Sequence, residues 1–356
     1  MTSSESSIIK RFENAQNSLV LQSSDLSLET IANMVESGAI DVSPHYQRRE
    51  RWKQESQAKL IESFLLNVPV PPVYLAEDDF GTYSVIDGKQ RITAIYRFLR
   101  DKFVLENLEG FAEVNGLKFS ELPKPLQNAL SIRPYLRVVT LLKQTNPELK
   151  YEVFTRLNTG GHPLLPQEIR NALYRGPLND LLFTLGQDGF LRKQLKISNE
   201  KESAFTEMLD VEMPLRFFTF REHWINFSGD SRGSMDSFMA RYRRPNRVKL
   251  AEFETCFKET LQNCQYLWGD AAFRRFTAGS FRDQFLASIY DAQMIAVDAL
   301  SNAEMKKLRL KQAEVLTATK KLFDDKHFEE AVRASTNTPS RVRYRIEAVV
   351  KLLKEI

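Results

Sequence analysis

Apolar residues change their period several times in the first part of the chain. In "SLETIANMVESG" Ile31, Met34 and Val35 share one helical face behind Ser27, an N-cap with Thr30 three residues on, and Gly38 marks the stop. "KQESQAKLIESFLLN" repeats helical spacing at Leu60, Ile61, Phe64 and Leu65 and ends near Asn67. Prolines in "VPVPPVYLAED" forbid a helix, whereas Val73, Tyr74 and Leu75 favour an extended strand. "TYSVIDG" predicts a second strand, and "KQRITAIYRFLRD" a helix with Ile92, Ile95, Phe98 and Leu99 inward. "YLRVVTLLK", residues 135–143, is a further strand, and "NPELKYEVFTRLNTGG" a helix from near Pro147 to a stop at Gly160–Gly161.

Beyond that stop the pattern is one of helices. "LPQEIRNALYRG", "LNDLLFTLGQ", "DVEMPLRFFTFREHW", "LAEFETCFKETLQNCQYLW", "SFRDQFLASIYDAQMIAVDAL" and "AEMKKLRLKQAEVLTATKKLF" all carry apolar residues at 3.6-residue spacing. The fold class expected is α+β: a mixed core, then a mainly α-helical domain, with a boundary between residues 165 and 180. The polar, Ser-rich residues 1–24 read as a flexible arm. No internal repeat is visible.

Composition narrows the class without naming a function. Apolar residues make up 42% and charged residues 27% of 356, the balance of a soluble globular protein. Lys plus Arg number 50 against 46 Asp plus Glu, so any case for a nucleic-acid partner must rest on local clusters. No membrane contact is expected, because no apolar run reaches 18 residues, and the N-terminus lacks an apolar secretory core; a cytoplasmic location is the default. Cys256 and Cys264, eight apart on one helix, suit buried thiols rather than a disulfide framework or a CxxC metal site. His45, His162, His223 and His327 form no pair at ligand spacing.

The chemistry concentrates in Asp87-Gly88-Lys89-Gln90-Arg91, where a strand gives way to a helix. The first N–H groups of a helix lack internal partners and sit at the positive end of its dipole, so they can take an anion. Gly88 would let phosphates approach, Lys89 adds a point charge, and Arg91 a planar fork of donors. Asp87 could hold a hydrated divalent cation, bond a hydroxyl, or orient Arg91. The alternative is an Asp-Gly turn followed by solvated polar residues. "FTRLNTGG" adds Arg156, Asn158 and Thr159 before two glycines, which serve equally as a ligand loop or a helix end. Asn158 could read a base or position a water. Glu168 and Arg170 suggest an internal ion pair that pins this loop.

In order along the chain, "YQRRERW", "LIESFLLNVPVPPVYL", "YSVIDGKQRITAIYRFL" and "FTRLNTGGHPLLPQEIRNALYRG" closely resemble the DUF262 family, the ParB/sulfiredoxin-like module at the N-terminus of GmrSD-type modification-dependent restriction systems. The resemblance is strongest over residues 25 to 180 and looser through "DVEMPLRFFTF" and "SRVRYRIEAVV". It implies a nucleotide-binding core over residues 25–175 and a helical domain over 176–356. The core would bind, and in many relatives hydrolyse, a nucleoside triphosphate with Mg2+ at the family's DGQQR signature. Asp87, Gln90 and Arg91 would then be catalytic, with Asp87 on the metal. Gln47, Arg48, Gly88, Lys89, Arg91, Arg156 and Asn158 would contact the nucleotide. Lys89 replaces the family's first Gln, which adds charge near the phosphates and would alter base choice or turnover. Trp52 would pack on the helix after it.

Many relatives carry an HNH nuclease domain after this module, and the tail here shows none of its His/Asn spacing; a separate nuclease subunit is the partner implied. The functional expectation is an NTP-dependent sensor or regulator in a restriction or antiphage system, with oligomerisation open. Two alternatives stand beside it. "MARYRRPNRVK" places Arg241, Arg243, Arg244, Arg247 and Lys249 in nine residues, which suits a non-catalytic DNA-binding or adaptor protein or merely a solvated loop. A metal-dependent nuclease centred on Asp87 is the third. Arg341, Arg343 and Arg345 in "SRVRYRIEAVVK" read as a weaker basic echo, or as helix-capping charges.

Overall fold

The prolines that forbid a helix at residues 69–72 release the chain into an extended run, and the mixed fold follows from it. The computed structural model describes residues 9, 11–12, 19–42, 52–145, 147–157 and 165–356. The chain divides into two compact units, Met1–Leu173 and Tyr174–Ile356.

In the first unit β1 (Leu21–Ser27) leads into α1 (Leu28–Glu36), and β2 (Ile40–Asp41) and α2 (Gln54–Leu65) precede β3 (Val73–Asp79) and β4 (Thr82–Asp87). Then come α3 (Lys89–Leu99), α4 (Lys124–Ile132), β5 (Tyr135–Leu141), α5 (Pro147–Leu157) and α6 (Pro166–Leu173). The strands form one mixed sheet in the order β1-β5-β3-β4-β2. A tight turn at Phe80-Gly81, where Gly81 has φ +78°, makes β3 and β4 an antiparallel hairpin. The chain then crosses through α3 and α4, so β5 returns parallel to β3 with Val73 opposite Val138. Register places Tyr74 of β3 opposite Asp87, the last residue of β4.

Ser84, Val85 and Ile86 of β4 are all buried, as a central strand covered on both faces requires. On α3 the buried residues Ile92, Ala94, Ile95, Phe98 and Leu99 face the core, and the helix packs against α1 and α2. Arg100, just past its end, donates to Glu29 at 3.1 Å and Glu36 at 2.9 Å on α1. Ser27 caps α1 by accepting from the Thr30 N–H at 3.2 Å, as its position predicts. One expectation changes here. Leu21–Ser24 lie within strand β1, paired to β5 residue by residue, so the arm read from their polarity is shorter than 24 residues. An edge strand tolerates exposed polar side chains because only its backbone must pair.

The second unit holds α7 (Pro177–Leu185), α8 (Gly189–Gln194), α9 (Ser203–Thr206), α10 (Leu209–His223), α11 (Ser231–Arg241) and α12 (Arg247–Trp268). A hairpin of β6 (Arg274–Thr277) and β7 (Ser280–Phe285) interrupts the helices, followed by α13 (Ala287–Asp298), α14 (Asn302–Arg309), α15 (Gln312–Leu322), α16 (Lys326–Arg333) and α17 (Pro339–Glu355). The hairpin corrects the expectation of a helix through "SFRDQF". Ala278 and Gly279 both adopt positive φ, the geometry of a two-residue hairpin turn, and Phe276 and Phe281 pair across it with centroids 5.1 Å apart. Phe217, Phe218, Phe238, Phe253 and Phe257 supply an aromatic core between α10, α11 and α12.

A buried charged cluster joins α10, α13 and α17. Asp291 receives Arg216 at 2.6 and 2.8 Å and Arg345 at 2.8 Å. Asp291 and Arg345 have no exposed side chain at all. Arg345 is therefore a core residue, in place of the surface or capping role read from its sequence. Burial pulls its guanidinium below the ordinary value, Asp291 opposes that, and Arg216 adds to it. Cys264 is buried, as expected, whereas Cys256 is half-buried and lies 3.2 Å from Asp298.

Candidate functional site

The turn between β4 and α3 collects five of the residues singled out by sequence. Gly88 is the N-cap of α3 at φ +93°. A β-carbon there would lie 2.4 Å from Val73 Cγ1 and 3.1 Å from Arg91 Nε. Glycine is thus required by the left-handed backbone and by close packing on β3, and the space its missing side chain leaves is filled by Val73 rather than left open.

Arg91, on the first turn of α3, is 13% exposed and folds back across the turn. Its Nη2 donates to Asp87 Oδ2 at 2.5 Å and its Nη1 to the Pro71 carbonyl at 3.1 Å. Of the roles open to Asp87, orienting Arg91 is the one visible in the geometry. Among the described residues Asp87 Oδ1 and Arg91 Nε form no hydrogen bond, so each retains capacity for a ligand. No side chain caps the N-terminus of α3, and its first turn has no acidic residue. The first turn at the positive end of the dipole therefore carries Lys89, Gln90 and Arg91, with Asp87 just before it.

Gln90 ties this turn to the chain that follows the "YQRRER" run. Its Oε1 accepts from the Trp52 N–H at 3.3 Å, while Gln57 donates to the Trp52 carbonyl at 2.9 Å. Arg97 of α3 holds Gln57 in turn at 2.9 Å. Trp52, four residues after Arg48, is consequently clamped by its backbone next to the turn. The expected packing of its ring is only partial, since 37% of the residue stays exposed. Gln47, Arg48, Asn158 and Thr159 lie outside the described residues.

Helices α5 and α6, which flank residues 158–164, both pack against β4. Arg156 on the last turn of α5 is mostly exposed and pairs with Glu152 at 2.5 Å. On α6, Gln167, Glu168, Arg170 and Asn171 are all buried. Glu168 accepts from the Leu165 N–H at 2.8 Å and so caps the helix start. Arg170 donates to Gln167 at 3.1 Å, and Gln167 to Asn171 at 2.9 Å. The burial of Gln167 and Asn171 was not legible, because polar residues on a helix ordinarily face water. The signal available was their four-residue spacing beside Arg170, which stacks three polar groups on one face.

Among the described residues no group of three or more His, Cys, Asp or Glu could hold a metal. A magnesium ion at this turn would rest on Asp87 and on phosphate oxygens brought by a nucleotide, the usual mode for that ion. The basic segment 241–249 lies in the second unit and is largely engaged. Glu222 accepts from Arg241 at 3.4 Å and from Tyr242 at 2.5 Å, Arg243 donates to the Arg175 carbonyl at 2.9 Å, and Lys249 pairs with Glu252 at 3.1 Å. Arg244 and Arg247 are exposed.

A family model described as the N-terminal domain of the GmrSD restriction endonuclease matches residues 28–175. Over those residues the chain is similar to that domain. Neither a curated protein nor a solved structure matches the chain. The GmrSD-type domain contains the whole β4–α3 turn, Trp52, Gln57 and the buried polar face of α6, whereas both basic clusters of the second unit fall beyond it. No helix among the described residues is long and apolar enough to cross a membrane.

Proposed function

We propose that the GmrSD-type domain binds a nucleoside triphosphate at the Asp87–Arg91 turn, and that the protein acts as a nucleotide-responsive component of a restriction or antiphage system. The observation that carries this reading is the start of α3, which no side chain caps and whose first turn holds no acid, with Arg91 held across it by Asp87 and the Pro71 carbonyl. A guanidinium already fixed by two partners loses little freedom on meeting a phosphate, which favours binding. Lys89 and the first N–H groups of α3 would take further phosphate oxygens, and Asp87 Oδ1 a magnesium ion. Gln90, which tethers Trp52, would couple an occupied site to the chain carrying Gln47 and Arg48. Hydrolysis would draw on Asp87 and Gln90. A strand, a tight turn and a helix start as the binding unit support the ParB/sulfiredoxin-like reading of the fold. DNA cleavage would come from a separate nuclease subunit.

Calorimetric titration of ATP, GTP, CTP and UTP with magnesium into wild type, Lys89→Ala and Arg91→Ala tests this. Saturable binding of one nucleotide is expected, weakened about tenfold by Lys89→Ala and lost in Arg91→Ala. Because Arg91 also holds the turn together, far-UV circular dichroism and an unfolding midpoint accompany each variant. The reading fails if no nucleotide binds wild type, or if affinity is unchanged in a folded Arg91→Ala protein.

A further inference from the structure

The segment "KKLRLK", residues 306–311, closes α14 and leads into α15. Leu308 is buried, which turns Lys306, Lys307 and Arg309 outward. Among the described residues Lys306 and Lys307 form no ion pair. The nearest acid on their own helix, Glu304, is committed to capping, bonded to Ser301 N at 2.7 Å and to Ser301 Oγ at 2.6 Å. Arg309 is held in place by neutral partners. Its Nη2 donates to Asn263 Oδ1 at 2.7 Å, and its guanidinium lies 4.8 Å from the centre of the Tyr266 ring on α12. Tyr266 is 51% exposed and the adjoining Leu310 is 89% exposed.

Cations in a last helical turn complement the helix dipole, and that alone explains their presence. It does not require an arginine fixed on an exposed aromatic ring, nor a large apolar side chain left in water beside it. The contrast with segment 241–249 is in charge actually available. There, carboxylates or backbone carbonyls of the same unit already hold Arg241, Arg243 and Lys249. At 306–309 the positive charge is presented intact.

We infer that this surface, formed by Lys306, Lys307, Arg309 and Tyr266, binds the phosphate backbone of nucleic acid. The lysines neutralise phosphates as mobile point charges, the fixed guanidinium of Arg309 bonds a phosphate in a set direction, and Tyr266 with Leu310 packs against the sugar edge. The surface belongs to the second unit and lies outside the family match.

The test is fluorescence anisotropy of a labelled 30-base-pair duplex of mixed sequence, titrated with the full chain at several KCl concentrations. Each phosphate contact contributes about 0.9 to the log–log salt slope. The variant Lys306→Gln/Lys307→Gln/Arg309→Gln should therefore flatten the slope by about 2 to 3 and weaken low-salt binding at least tenfold. Lys306→Gln/Lys307→Gln, which leaves the Arg309 contacts untouched, should flatten it by about 2. An Arg241→Gln/Arg247→Gln variant should alter it less than either. The proposal is overturned if wild type does not bind the duplex at low salt or if the triple variant keeps the wild-type slope. It is also overturned if the triple substitution affects only binding to anionic lipid vesicles or to an acidic polypeptide.

Discussion

The protein uses arginine–aspartate pairs in two settings that differ in water. At the β4–α3 turn Asp87 is 36% exposed, and its one arginine keeps a donor in reserve. Between α10, α13 and α17, Asp291 is fully buried and shared by two arginines, with Arg345 also bonded to the Ala331 and Thr336 carbonyls. A pair at a wet turn can change partners, since water stands in for whatever is displaced. A buried pair cannot, because each unmet charge there costs several kcal/mol. The lesson is that the same two residue types make an exchangeable contact at a wet turn and a structural cross-link in the core. Arg221 and Asp298, at 2.7 Å and partly buried, stand between these extremes.

Removing the shared acid should separate the two settings most sharply. Asp291→Ala strands two buried guanidiniums and should cost roughly 3–5 kcal/mol, read as a drop in the urea midpoint of the second unit. If the loss is near zero, Arg345 and Arg216 are not held as described. Gly88→Ala comes next, at roughly 1–3 kcal/mol, because alanine must adopt φ +93° and displace Val73. A first unit that keeps its wild-type midpoint would show the turn to be adaptable. The smallest effect concerns Cys256, whose thiol is pushed up to about 12 by burial and then by Asp298. Its folded value lies above the unfolded one of 9.0, so the protonated thiol favours folding. That contribution is complete below pH 9 and fades as pH rises toward 12. Iodoacetamide labelling at pH 9, followed by peptide mass mapping, should be roughly a hundredfold slower at Cys256 in the native protein than in urea. Equal rates would mean that Asp298 does not shield it.

Local signals were legible where one residue type has one use. Ser27 before an apolar repeat is a cap, the prolines at residues 69, 71 and 72 force an extended run, and Asp-Gly between a buried strand and an amphipathic helix is a turn. The strand–turn–helix at β4–α3 was therefore read close to where it stands. The hairpin at 274–285 was not, since its phenylalanines fit a helical and an alternating pattern equally over so short a run.

By itself the sequence determined the strand–turn–helix at residues 82–99, the cations gathered there, and the likeness to the GmrSD domain. All of these depend on neighbours in the chain. Only the tertiary structure decided which charges meet. Arg91 reaches back to Pro71 across 20 residues, Trp52 docks on Gln90, and Arg345 travels 54 residues to Asp291. Arg241 and Lys249 are quenched by acids of their own unit, while among the described residues no acid pairs with Lys306 or Lys307. The reason is physical: a charge acts over a few ångströms set by packing, whereas sequence distance constrains that separation only within a turn or two of helix.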